Sequence, residues 1–276
     1  MSHEYFANCI KNNIPFLYCK FGDGEYLCMY KYNSDSTNAS GVNPNDLVSN
    51  CDNDNYTKKL SKSLCKSLNY IVNFAQNYYI GEWYQEHVKK FYLSITKKQI
   101  NYASYHSFLF DESDVLNNRI KHKIKAFKEI KHSNRKKIYV CNGLLIKSKI
   151  LLNIDEMIRI PLNNWFDTQF DIIVGEIKSL LNGPDDDSII MTSCGMGAKV
   201  LITELYKEYP KCTYIDIGSG LDTICTKRNT RNWDYKYEDL YKKFLEYDFI
   251  PDNWDDPKYD YIYQIAKDKL GTHLGQ

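Results

Sequence analysis

The sequence predicts an α/β protein built on a Rossmann-like, mostly parallel sheet flanked by helices. Ser188 to Thr192 is a continuous apolar strand of the kind buried on both faces of a parallel sheet. A glycine turn, a helical stretch from Ala198 to Tyr209 and a second apolar strand from Cys212 to Ile217 follow it, and this order predicts a right-handed βαβ unit. The chain has 276 residues, 43% of them hydrophobic, enough to bury a core without disulfide staples. We read one domain over residues 1–276, with a helical C-terminal extension from about residue 235.

The remaining elements follow in chain order. Pro15 to Phe21 is a short buried strand, closed by Gly22-Asp23-Gly24-Glu25. Residues 33–55, rich in Asn, Asp, Ser and Gly, form a long loop. Lys59 to Tyr79 has helical spacing through Leu60, Leu64, Leu68, Ile71 and Val72. Tyr102 to Phe110 is a strand or a loop rim. Val115 to Ile130 is an amphipathic helix, and the basic stretch Lys121 to Lys137 is expected to be mainly its solvated face. Lys137 to Cys141 is a strand, followed by an Asn142-Gly143 turn. Met157 to Ile160 is a strand stopped by Pro161, and Phe166 to Leu181 is a helix ended by Asn182-Gly183-Pro184. The tail from Tyr235 is helical, interrupted at Pro251 and Pro257.

Composition narrows the function. Thirty-six Lys and Arg against 35 Asp and Glu leave a net charge of +1, which argues against a protein that coats nucleic acid or an anionic membrane. No apolar run approaches the ~20 residues of a membrane span, and the first residues carry neither a basic n-region nor an apolar h-region. Nine scattered cysteines, with no C-x-x-C pair, read as reduced thiols in a cytoplasmic, reducing compartment. The six histidines show no metal-ligand spacing, and Asp185-Asp186-Asp187 reads as a loop. Twenty-four tyrosines suit sugar stacking, but most must be core or half-buried surface.

Three segments carry chemistry. Asp23 and Glu25, in D-x-E spacing between glycines, either ligate one hard cation or form a turn with Glu25 in a helix's first turn. Gly195 and Gly197 open a helix after a strand, where backbone N–H groups either bind phosphate or only make a tight turn. Asp216 to Asp222 is an acidic glycine loop at a strand end, compatible with a ribose-binding acid, with a methyltransferase cofactor loop or with a plain polar turn.

Taken in order, these motifs resemble the GT-D-fold glycosyltransferases, whose R-F-G-D-G-E segment reads here Lys20-Phe21-Gly22-Asp23-Gly24-Glu25. The resemblance continues through Asn142-Gly143, Asn163-Asn164-Trp165, Gly195 to Leu201, Asp216 to Asp222, and Thr230-Arg231. It departs at Lys20, where arginine is usual, and at Ser219, where some relatives have histidine. It implies a metal-dependent transfer of a sugar from a nucleotide-diphosphate donor, typically a UDP-sugar, to a glycan or glycoprotein acceptor. Asp23 and Glu25 would hold Mn²⁺ or Mg²⁺. Lys20, Gly22, Asn142, Asn164, Trp165, Gly195, Gly197, Ser219 and Arg231 would bind substrate, and Asp216 and Asp222 would be catalytic. The alternatives are a Rossmann methyltransferase using S-adenosylmethionine and a non-catalytic nucleotide- or glycan-binding protein.

Overall fold

The computed structural model describes residues 3–33, 43–111, 114, 119–228 and 236–269. Seven strands form one parallel sheet among them: β1 (Leu17–Lys20), β2 (Tyr78–Glu82), β3 (Tyr102–Ser104), β4 (Lys137–Asn142), β5 (Glu156–Ile160), β6 (Ile189–Ser193) and β7 (Thr213–Asp216), in the order β3-β2-β1-β7-β6-β4-β5. Every pairing is parallel, so all strands end at one edge.

Strand residues alternate between two apolar layers, as the two-residue period of a pleated strand requires. Leu17 and Cys19 face one layer, with helices α2 (Asp23–Lys31), α3 (Lys58–Phe74) and α4 (Glu86–Thr96). Helices α7 (Trp165–Leu180) and α8 (Gly197–Glu208) complete that layer. Phe16 and Tyr18 face the other, built by α1 (His3–Lys11), α5 (Ile120–His132), α6 (Ser148–Leu151), α9 (Asp222–Thr226) and α10 (Tyr237–Glu246). The chain leaves β1 toward the first layer through α2 and leaves β7 toward the second through α9. Adjacent strands departing to opposite faces open a crevice at their carboxyl ends, the usual ligand position in an open α/β sheet.

The α/β rhythm after residue 137 matches the sequence reading to within a residue or two. Two expectations need correction, the end of the helix read to Tyr79 and the solvation of the basic stretch. The helix read to Tyr79 stops at Phe74, because Asn77 takes a left-handed φ of 48° and its amide donates to Pro15 O at 2.7 Å; Tyr78 to Glu82 is then a strand beside β1. The Tyr102 to Phe110 segment is both of the things expected, a strand over Tyr102–Ser104 and then a loop at the cleft rim. The basic stretch is not simply a solvated face: Lys123 is fully buried against Asp111 and Asp114. The helical C-terminal segment packs onto the sheet, with Leu240, Phe244 and Trp254 buried in the second layer before α11 (Pro257–Lys269). Residues 115–118, where the helix expected from Val115 begins, and Thr230 and Arg231 lie outside the described residues. No helix among the described residues is long and apolar enough to cross a membrane.

The loop after β7 is pressed against the segment after β3. A Cβ on Gly220 would run into the Phe108 carbonyl oxygen, a backbone atom that cannot swing aside. Gly220→Ala should therefore cost about 1–3 kcal/mol of stability, as overpacking does, read as a lowered Tm by circular dichroism.

Candidate functional site

The crevice is built from strand ends that are far apart in sequence. Asp216 ends β7 and Lys20 ends its neighbour β1; the Lys20 backbone N–H donates to Asp216 Oδ2 at 3.1 Å. Asp216 Oδ2 also lies 3.0 Å from Lys199 Nζ, which reaches Glu25 Oε1 at 2.6 Å. Glu25 stands in the first turn of α2, where its Oε2 accepts from the Gly22 N–H at 2.8 Å. An acid there offsets the positive helix end, whereas Lys199 in the first turn of α8 opposes that end. The two buried carboxylates explain how a lysine is tolerated there.

These charges share one buried cluster. Burial alone would push the Lys199 ammonium down; Asp216 and then Glu25 overcome it and hold the group well above the ordinary lysine value. Lys20 goes the other way. Burial lowers it to about 8, with Asp216 only partly offsetting that, and its Nζ donates to Ile217 O at 2.6 Å. That contact explains the turn after β7. Gly218 has a φ of 58°, and a Cβ there would collide with Lys20 Nζ.

Above the cluster lies a cleft of about 910 Å³. Of the residues expected to function, Lys20, Asp23, Glu25, Asn142, Gly195, Ser219 and Asp222 line it. Asp216 does not: it is 1% exposed and forms part of the floor. Trp165 is equally buried, donates Nε1 to Cys194 O at 2.8 Å, and fills the space where a Cβ on Gly197 would sit, 2.6 Å from Trp165 Cζ2. Those two residues pack the turn before α8. Gly22 lies behind the lining, because a Cβ there would meet Tyr105 Oη at 2.6 Å. Asn164 takes a left-handed φ of 55° and anchors a loop instead of lining the cleft.

That loop brings in Asp54, which no sequence pattern marks. The Asn50 side chain accepts from Asp52 N and Asp54 N, bending the segment, while Asn55 N donates to Asn164 Oδ1 at 2.8 Å. Asp54 Oδ1 accepts from Asn164 N at 2.8 Å, the Met196 backbone N–H also bonds this carboxylate, and Oδ2 lies where a Cβ on Gly195 would be. The glycine turn at the start of α8 does hold an anion, and the anion is the chain's own. Burial, only partly offset by the Asn164 N–H, pushes Asp54 from its ordinary 3.8 up to about 6.

The D-x-E pair divides when tested as a metal site. Both Glu25 oxygens are engaged, by Lys199 and by the Gly22 N–H. Asp23 is exposed on the cleft wall. No group of three or more His, Cys, Asp or Glu side chains is arranged to hold a metal ion among the described residues. Mg²⁺-type ions nevertheless sit on one or two carboxylates when a phosphate substrate supplies the other oxygens. The lining also favours a cation, with Asp23, Glu25, Asp52, Asp54, Asp111 and Asp222 facing Lys20 and Lys199. Asp23 fits a metal that arrives with a phosphate; Glu25 as placed does not.

Two outcomes are expected. Lys199→Met strands the Glu25 and Asp216 carboxylates in a buried site and should cost about 3–5 kcal/mol in urea unfolding. Asp54 has a raised folded pKa, so its contribution to stability is full below about pH 4 and is lost as the pH rises through about 6. Asp54→Asn, which stays neutral, should gain in Tm relative to the native chain over that interval, a difference that differential scanning calorimetry at pH 4, 5, 6 and 7 reads.

Comparison with known proteins adds the fold. No protein-family model matches the sequence, and no curated protein is significantly similar to it. Two solved structures are similar in fold, both of domain of unknown function 1792. One is a selenomethionine-substituted form, and the other is described as having a distinct glycosyltransferase fold. Each aligns with a TM-score of 0.51 at 17% identity, over 86% of this chain and 88% of the other. The parallel sheet with helices on both faces is therefore a glycosyltransferase-like α/β fold.

Proposed function

We propose that the protein is a glycosyltransferase that moves a sugar from a nucleotide-diphosphate donor, a UDP-sugar in the first instance, to a glycan or glycoprotein acceptor. The observation that carries this reading is the cleft at the β1/β7 crevice, which Lys20 and the exposed Asp23 line together with the Lys199 cluster. The glycosyltransferase-like fold supports it. The glycine loop that a methyltransferase would give to its cofactor is filled here by Lys20 and by the Phe108 carbonyl.

Sugar transfer requires charge to be neutralised on the departing diphosphate. Lys20 supplies one fixed cation at the cleft floor. Mn²⁺ or Mg²⁺ would be held by Asp23 and, when bound, would neutralise the leaving diphosphate as a Lewis acid. Ser219 and Asn142 offer hydrogen bonds from the β7 and β4 ends of the cleft, and Asp222, on the same wall, is suited to accept from sugar hydroxyls. Asp216 acts indirectly, by holding Lys199 and the end of β1 in register.

A thermal-shift screen of UDP, GDP and dTDP with and without Mn²⁺, followed by release of the nucleotide from the matching sugar donors, tests the proposal. One nucleotide should raise the Tm, more strongly with Mn²⁺. Asp23→Ala should remove the Mn²⁺-dependent part, and Asp222→Asn should lower turnover more than donor binding. Stabilisation by S-adenosylmethionine instead, or by none of the nucleotides, overturns the reading. Undiminished turnover in excess EDTA overturns the metal's part in it.

A further inference from the structure

One wall of the cleft has no part in donor binding as described so far. Trp83 and Tyr84, just after β2, and Tyr105 and His106, just after β3, line it together. Their rings form a continuous surface: Trp83 meets Tyr105 edge-on at 5.0 Å between centroids, Tyr105 meets His106 at 5.7 Å, and Tyr84 lies 6.2 Å from His106. Tyr84 is 69% exposed, so the wall presents an aromatic face to solvent at the cleft mouth. The wall is also fixed in place. The buried Tyr18 hydroxyl lies 2.9 Å from both Ser104 O and Tyr105 O, and the Tyr105 ring sits 5.5 Å from Lys20 Nζ. It therefore abuts the donor end of the cleft.

Behind the wall is a buried charge network that takes in Lys123 from the basic stretch expected to be mainly a solvated helix face. His106 Nδ1 lies 2.9 Å from Asp111 Oδ2. Asp111 is held from behind by Lys123 Nζ at 3.3 Å, and the Asp111 N–H donates to Asp114 Oδ2 at 3.1 Å. Lys123 in turn reaches Asp114 Oδ2 at 2.6 Å. A buried arrangement of this kind is poor evidence for stability, because desolvation consumes most of the attraction. It does place a carboxylate 2.9 Å from one imidazole nitrogen. With the proton on Nδ1, the other nitrogen carries the lone pair, and a base oriented by a third group is the usual way to activate a hydroxyl.

We propose that this wall is the acceptor subsite. The aromatic rings stack a saccharide, and His106, positioned by Asp111, takes the proton from the acceptor hydroxyl. The inference rests on the glycosyltransferase reading and adds its second substrate. In the step, the acceptor oxygen bonds to the anomeric carbon of the donor sugar. The bond from that carbon to the diphosphate oxygen breaks, its electron pair leaves on the diphosphate, and the hydroxyl proton passes to His106 Nε2. A single displacement of this kind inverts the anomeric centre. The cleft volume, near the upper end of ligand pockets, leaves space for a saccharide beside the donor.

The test uses the full chain and methyl α- and β-glycosides of glucose, galactose and N-acetylglucosamine as probes. Titrated without donor, at least one glycoside should change the tryptophan emission saturably, and Tyr84→Ala, which keeps every tryptophan, should weaken that binding at least tenfold. With the stabilising nucleotide sugar added, His106→Gln should transfer about 100-fold more slowly, within the usual range for a lost general base, while its UDP-induced Tm shift stays as in the native chain. Asp111→Asn should lower kcat and leave KM for the donor unchanged. No saturable binding, equal binding by Tyr84→Ala, or transfer by His106→Gln within twofold of the native rate overturns the proposal. Absence of a Tm shift in the native chain with every one of UDP, GDP and dTDP overturns the functional reading instead, and the donor-free titration still decides the subsite.

Discussion

The Lys199 ammonium, held between Glu25 and Asp216, is the interaction around which the carboxyl edge of the sheet is arranged. It joins the first turn of α8, the first turn of α2 and the end of β7. Through Asp216 it also reaches the backbone at the end of β1. A lone lysine in a helix's first turn, or two lone carboxylates under a cleft, would be costly; together they satisfy one another. The arrangement requires β1 and β7 to be neighbours, and the parallel register of Leu17 with Tyr214 and Tyr18 with Ile215 makes them so.

That central pairing has a consequence for charge in the cleft. Glu25 is committed to Lys199 and to the cap of α2, so of the D-x-E pair only Asp23 faces solvent. Asp54 takes the Met196 N–H that a phosphate would otherwise take, and its Oδ2 fills the space beside Gly195. The chain thus supplies its own anion at the helix end and leaves the rest of the cleft acidic. Under the proposed function, a diphosphate entering such a site would gain from a divalent ion that arrives with it, since two lysines face six carboxylates along the lining.

The two halves of the cleft rest on different parts of the fold. The β6–β7 side carries the glycine turns and the charged cluster, with strands buried on both faces. The β2–β3 side is built on short strands near the sheet's edge, and its aromatic wall is held by Tyr18 from β1 and by the Asp111–Lys123 network behind it. On the proposed function, the charged centre would take the phosphate ester and the aromatic, edge-supported wall the saccharide.

What the sequence by itself determined was local. The apolar run at Ser188, the glycine turn after it and the helix and strand that follow identified the βαβ unit, because strand and helix periods and turn chemistry are carried by near neighbours. Gly22 to Glu25 was recognisable as a turn with an acid in a helix's first turn for the same reason. Lys199 carried a faint signal, a cation at the wrong end of a helix. The tertiary structure alone decided that Lys20 and Asp216, 196 residues apart, share a hydrogen bond and that Asp54 seats on Gly195. It also ended α3 early, at Phe74, so that Tyr78 to Glu82 pairs with β1. The seat of His106 against Asp111 depends in turn on Lys123, whose helical spacing reads as surface until Asp111 and Asp114 close on it. Such contacts depend on which strands become neighbours and which loops cross the carboxyl edge, and no local periodicity encodes either.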